Sequence, residues 1–227
     1  GKYIEEGQKK MTEFFYSNHV FDETIILPED EAHHVLQVLK KQEGDSIIVV
    51  DGQGGWYETV LKTDKIQNCK LEIVHRKKEF GKPNHYIHIA MAPPKSHDRA
   101  EWFVEKAVEI GIQEISFVLT RNSERNNIKL NRIKSKAISS MKQSLQAYLP
   151  QINDILSLSN FIETCKNSEK YVGYLGDEDT HFLSKSAKPG NNYCVLIGPE
   201  GDFIPEEVNL AQSFDFHTIS LGKSRLR

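Results

Sequence analysis

The chain has 227 residues, 38% of them hydrophobic, and a formal net charge of −3, enough apolar material for one large packed domain or two small ones. No run approaches the roughly 18 consecutive apolar residues of a membrane span, and the opening GKYIEEGQKK lacks the apolar block of a secretory signal, so no membrane partner is expected and cytoplasmic residence is the default. The cysteines Cys69, Cys165 and Cys194 are odd in number, far apart and in no Cys-x-x-Cys pair, which suggests neither a disulfide framework nor a zinc site.

Residues 1–10 precede Met11 and are expected to be a leader. From there to about residue 78 the pattern is of short β segments: TIIL (24–27), SIIVV (46–50), WYETVLK (56–62) and KLEIVH (70–75). Asp51-Gly52-Gln53-Gly54-Gly55 and Glu43-Gly44-Asp45 supply turns between them. One helix interrupts, Asp30 to Lys41, with Ala32, Val35, Leu36 and Leu39 on one face and His33 and His34 beside it. The expectation for 11–78 is a small β-barrel with one helix.

After the polar linker Lys77 to Asn84, strands and helices alternate over 84–227. YIHIAMA (86–92) reads as a strand, and Asp98 as the cap of a helix that buries Phe103, Val104, Ala107 and Ile110 and ends at Gly111. EISFVL (114–119), a helix from about Leu130 to Tyr148, and strands YVGYL (171–175), YCVLI (193–197) and HTISL (217–221) follow, with helices near 159–167 and 205–213. Such alternation predicts an α/β fold with a largely parallel sheet.

Arg121, Arg125, Lys129, Arg132, Lys134, Lys136 and Lys142 face the single acid Glu124 over residues 121–142, a net +6 by count. The stripe suits a polyanion or a solvated lysine-rich helix face, and composition leaves both open.

In open parallel sheets ligands bind beyond the strands' carboxyl ends, which selects the loops Thr120 to Arg125, Gly198 to Asp202 and Gly222 to Arg227. Their glycines allow backbone groups to approach a flat heterocycle or carboxylate. No G-x-x-x-x-G-K-[ST] exists and no G-x-G-x-x-G follows a strand, so neither a P-loop nor a dinucleotide site is expected. The His33-His34 pair on a helix points in directions about 100° apart, and no metal is expected.

The run Ile197-Gly198-Pro199-Glu200-Gly201-Asp202-Phe203, followed by Glu206, Glu207 and Ser220-Leu221-Gly222-Lys223-Ser224-Arg225-Leu226-Arg227, closely resembles the signature of the RsmE-type 16S ribosomal RNA uridine-N3 methyltransferases of the SPOUT superfamily. Matches spread along the chain: His33-His34-Val35-Leu36, Gly44-Asp45, Lys95 with Asp98-Arg99, Glu105-Lys106-Ala107, Ser123-Glu124-Arg125, and Lys142-Gln143-Ser144 before Leu149-Pro150. The resemblance implies a PUA-like RNA-binding domain over 11–78, a trefoil-knotted SPOUT methyltransferase domain over 84–227, a homodimer, 16S rRNA in the small ribosomal subunit as partner, and S-adenosyl-L-methionine as cofactor. Cofactor contacts carried over by motif are Leu119, Gly176, Ile197, Gly198, Pro199, Glu200, Gly201, Leu221, Gly222, Ser224, Arg225 and Leu226. The family continues past the position of Arg227 with a segment and helix that complete the knot, so the resemblance implies a knot whose carboxyl end is absent from the chain. Two departures stand out: many members have Glu-Gln and a following arginine where this chain has Lys142-Gln143 and Gln146, and many have glycine at Asp202.

The methyl group of that cofactor is already activated on a sulfonium, so alignment dominates. Uracil N3 lies on the Watson–Crick edge, so the base must be unpaired or extruded and its proton removed. Arg125, Arg225 and Arg227 are the expected stabilisers of the uracil anion, since a guanidinium offers paired planar donors. Glu200 is either the proton acceptor or, the favoured alternative, a structural part of its turn. RNA contacts are expected from His33, His34, Lys40, Lys41, Lys95, Arg99, Arg121, Arg125, Lys129 and Gln143, with His33 and His34 equally readable as packing residues. The alternatives are a SPOUT enzyme with another RNA target and a non-catalytic RNA-binding factor.

Overall fold

The computed structural model describes residues 13–175 and 181–222. Contacts divide the chain into two units, one of residues 1–81 with 142–148, the other of 82–141 with 149–227. Gly176, Ser224, Arg225, Leu226, Arg227 and residues 1–10, expected above to be a leader, lie outside the described residues.

The first unit contains β1 (Phe14–Tyr16), β2 (Thr24–Leu27), α1 (Glu29–His33), β3 (Ser46–Val50), β4 (Trp56–Leu61) and β5 (Cys69–Lys77). They form a sheet in the order β1-β3-β4-β5-β2, antiparallel except for the parallel β1–β3 pair. Along β5, Cys69, Leu71 and Ile73 face inward and Lys70, Glu72 and Val74 outward, the alternation of a sheet covered on one face. Its core gathers Phe15, Ile25, Leu27, Val49 and Leu61 onto Ala32, Val35 and Leu36 of the helical segment. α1 runs on into a π-turn over His34–Val38, where the Leu39 N–H donates to the His34 carbonyl at 2.9 Å. The widened turn leaves Leu39 37% exposed, so it does not share the apolar face expected of it.

Residues 142–148 fold back onto this unit, a return absent from the sequence reading, which ran a helix on to Tyr148. The helix ends at Gln143, and Leu145 takes φ 54°. Tyr148 bridges to Gln53, and the Gly54 N–H donates to the Ala147 carbonyl at 2.9 Å. Lys142 pairs with the buried carboxylate of Glu31. Gly54 has φ +92°, and a Cβ there would lie 2.3 Å from the Tyr148 hydroxyl. Gly54→Ala is therefore expected to destabilise the first unit by about 1–3 kcal/mol, read as a lowered thermal midpoint.

The second unit runs β6 (Tyr86–Met91), α2 (His97–Ile110), β7 (Glu114–Leu119), α3 (Leu130–Gln143), β8 (Gln151–Ile152), β9 (Leu156–Ser157), α4 (Leu158–Thr164), β10 (Glu169–Gly173), β11 (His181–Phe182), α5 (Leu183–Ser186), β12 (Asn192–Ile197), α6 (Pro205–Ser213) and β13 (Phe216–Ser220). The sheet order is β11-β13-β10-β12-β6-β7-β8, every pairing parallel, with β9 paired to β7. Cys194, Val195 and Leu196 are buried in succession, as in a strand covered on both faces. Ser96, not Asp98, holds the N-cap position of α2; Asp98 lies in its first turn. Ile110, expected inside, is 76% exposed, and Val108 is buried in its place because the buried stripe runs Ala100, Val104, Ala107, Val108.

Candidate active site

Register fixes where the strands of the second unit stop. Phe117, Met91, Ile197, Gly173 and Ile219 are successive lateral partners across β7, β6, β12, β10 and β13. In a parallel sheet this puts the loops after Leu119, Ile197 and Ser220 along one edge, the edge at which such sheets bind ligands. Leu119 and Ile197 are half-buried there, Leu221 and Gly222 exposed.

The loop after β12 is built on a close approach. A Cβ on Gly198 would come within 2.9 Å of the Phe203 ring, which is itself buried, so only glycine lets that ring lie against the backbone. The Asp202 N–H donates to the Pro199 carbonyl at 2.9 Å, closing a turn with Asp202 at φ 62°. The Asn122 amide of the loop after β7 donates to the carbonyls of Gly201 (3.2 Å) and Asp202 (3.0 Å). Glu207 accepts from the N–H groups of Arg121 (2.7 Å) and Ile204 (3.1 Å). Two loops distant in sequence are thereby fastened together by Asn122 and Glu207. Neither residue is among the expected site residues; the signal for them is a short amide side chain just past a strand end and an acid in the first turn of the next helix.

Several cations lie on or beside these loops. Arg99 pairs with Glu200 between exposed groups, so Glu200 is committed to an ion pair on the rim. Arg125 donates through Nε (3.3 Å) and a terminal nitrogen (3.2 Å) to the Lys95 carbonyl, and Lys95 Nζ lies 3.5 Å from Glu124. His97 Nδ1 is 3.0 Å from Glu101, and its Nε2 accepts from the Lys129 N–H at 3.2 Å, which fixes the far end of the basic loop. Lys95, Arg121, Arg125 and Lys129 thus lie on the loops of this edge, and Arg99 reaches them from the first turn of α2. His33, His34, Lys40 and Gln143 lie in the first unit, where His33 and Lys40 are exposed and His34 bonds Glu13 at 2.9 Å.

The basic stripe is partly neutralised. Arg132 binds Glu101 at 2.6 Å, Lys136 binds Glu105 at 3.2 Å, and Lys142 binds Glu31. Arg121, Arg125, Lys129 and Lys134 are its members without an ion pair among the described residues.

A parallel α/β unit with glycine-bearing loops along its carboxyl edge and cations beside them, joined to a small β unit, has the architecture of the α/β class, in which ligands generally bind at that edge. The RNA methyltransferase domain model matches residues 82–227, and the RNA methyltransferase PUA domain model matches residues 27–73. The chain belongs to this RNA methyltransferase family. It is 29% identical to the ribosomal RNA small subunit methyltransferase E of Mesomycoplasma hyopneumoniae over 94% of this chain and 92% of that one. A solved structure titled probable rRNA-methyltransferase from Porphyromonas gingivalis is 36% identical, with a TM-score of 0.87 over 95% of this chain and 91% of that one. A ribosomal RNA small subunit methyltransferase E from Neisseria gonorrhoeae bound to S-adenosyl methionine shares the fold at 23% identity and a TM-score of 0.84, over 95% and 91% of the two chains.

Proposed function

We propose that the chain methylates uracil N3 in 16S ribosomal RNA of the small subunit, using S-adenosyl-L-methionine held along the edge described above. The observation that carries this reading is the alignment of the loops after Leu119, Ile197 and Ser220 on one sheet edge, with Gly198 required by the packing of Phe203. The residues present suit the cofactor: backbone groups of Gly198 to Gly201 offer polar contacts without bulk, and Leu175 and Leu221, 81% and 46% exposed, offer apolar faces for a flat purine. The cofactor supplies a methyl group activated on a sulfonium. What remains for the chain is to hold an extruded uracil in line and to stabilise negative charge on its carbonyl oxygens as N3 loses its proton.

Arg125 is the described arginine proposed for that charge; Arg225 and Arg227 are proposed with it on motif grounds. Ser224, Leu226 and Gly176 join the cofactor contacts on the same grounds. Arg125→Ala is expected to lower methyl transfer by at least about 100-fold with cofactor affinity unchanged; wild-type turnover would remove it from the site. A homodimer, a knotted chain path and residence in the cytoplasm belong to the same reading. The direct test is nucleoside mass spectrometry of ribosomal RNA from a strain lacking the gene, followed by incubation of that RNA with the purified chain and labelled cofactor. Return of N3-methyluridine at one 16S position is expected; label at a ribose or in transfer RNA alone would overturn the assignment.

A further inference from the structure

On the same sheet, but toward the opposite ends of its strands, lies a cluster with no part in methyl transfer. His88 on β6 and Cys194 on β12 are direct cross-strand partners, and Cys165 is the first residue after α4. One donor atom from each, the two sulfurs and a ring nitrogen, falls within 4.8 Å of the others. Each of the two strand residues precedes the ligand edge by three positions, roughly 10 Å along a strand.

We infer that His88, Cys165 and Cys194 form a binding site for a thiophilic divalent cation, Zn²⁺ by the chemistry of the donor set. One imidazole and two thiolates are the mixed nitrogen and sulfur ligands that zinc prefers, and bond lengths of about 2.0–2.3 Å require ligand atoms a little under 4 Å apart. The cluster therefore needs only a small contraction. His88 is oriented for the task. Its Nε2 lies 2.7 Å from Ser116 Oγ, and the Phe161 ring meets its plane edge-on at 5.5 Å. Nδ1 faces Asn167 Oδ1 at 3.2 Å, which also accepts from Cys165 Sγ, and lies 3.6 Å from the Glu114 carboxylate, which accepts from the Tyr86 hydroxyl at 2.6 Å; metal binding would displace the proton between Nδ1 and Asn167, and either oxygen would exchange its present donor to take a fourth position. A partner on the far ring nitrogen is how metal-binding histidines are generally held.

The protonation states agree. Burial lowers the pKa of His88 below the usual imidazole value, so the ring is neutral, as a ligand must be. A hydrogen bond from Cys194 brings Cys165 down to about 7, with Lys170 contributing, while Cys194 moves up. Binding Zn²⁺ would form two Zn–S bonds and one Zn–N bond, release to solvent whatever protons the two thiols still carry, and move the His88 ring proton from Nδ1 to Nε2; the doubly charged ion and two thiolates are then neutral, flanked by Glu114 and Lys170. Cys69 supplies the contrast of a cysteine that only packs: it is buried among apolar side chains of the first unit, and burial alone pushes its thiol up to about 11. The site would fasten the end of α4 to two central strands.

The test uses the full chain, reduced, stripped of metal with a chelator and titrated with Co²⁺. One equivalent should develop thiolate-to-cobalt charge-transfer absorption and tetrahedral visible bands, and Zn²⁺ should displace them. Cys165→Ser should weaken cobalt affinity by more than about 10-fold, and Cys69→Ala should leave it unchanged. In the wild-type chain, Zn²⁺ should raise the thermal midpoint and a chelator reverse it, a reading that does not depend on any variant folding. Absence of the charge-transfer band with the thiols shown to be free, a band unaltered in Cys165→Ser, or no zinc-dependent midpoint shift would each overturn the site.

Discussion

Replacing Gly198 with valine should lower affinity for S-adenosylmethionine by at least about 100-fold, equivalent to roughly 2.7 kcal/mol, while the first unit keeps its thermal transition. A Cβ at this position would stand 2.9, 3.0 and 3.2 Å from three carbons of the Phe203 ring. That ring is 4% exposed and packed in a core with Leu196, Phe161 and Val208, so it cannot swing aside as a surface side chain would. The backbone between Ile197 and Asp202 must move instead, and Asn122 then loses its hold on the Gly201 and Asp202 carbonyls. Gly201→Ala is the graded comparison. Its Cβ would meet Asn122 Cβ at 3.4 Å, an ordinary contact, and its affinity should stay within about 10-fold of wild type. Titration calorimetry of both variants checks the pair, and equal affinities would remove this loop from the cofactor site.

Lys142→Met should destabilise the first unit by about 3–5 kcal/mol. Glu31 is only 6% exposed, and its carboxylate is partnered by the Lys142 ammonium and, at 3.4 Å, the Tyr16 N–H. Removing the cation strands a charge in a site that water reaches poorly, which costs far more than breaking a surface pair. For a unit of this size the loss corresponds to a fall in thermal midpoint of more than about 10 °C. The double variant Glu31→Gln with Lys142→Met should recover most of the difference, since the stranded charge is gone. Scanning calorimetry of the four proteins in the cycle measures it; additive single effects would show that the two side chains are not coupled.

The parallel sheet and the loops that follow its strands are legible in the sequence because each long strand is a compact apolar run and each loop after it carries glycine or basic residues. Val195 and Leu196 announce a strand covered on both faces, and Gly198 follows at once. What periodicity could not supply were features made by distant residues. The three-residue strand Phe14–Tyr16 is too short for a pattern and exists by its parallel register with Ile48, Val49 and Val50. Asn122 and Glu207 acquire their roles only when two loops meet. The same holds for His88, Cys165 and Cys194, whose spacing looks unrelated until β6 and β12 pair. The net charge of the stripe is likewise not legible from composition, which counts cations, whereas Glu101, Glu105 and Glu31 on other elements take three of them.

The return of residues 142–148 to the first unit bears on the order in which the protein matures. During synthesis at roughly 5–20 residues per second, the β segments up to Gly81 wait on the order of several seconds before Lys142 and Tyr148 are made. Until then Glu31 has no ammonium beside it and Gly54 faces no phenol. The amino-terminal unit is therefore finished only after β6, α2, β7 and all of α3 have been polymerised, and the usual sequence, first domain first, does not describe its birth.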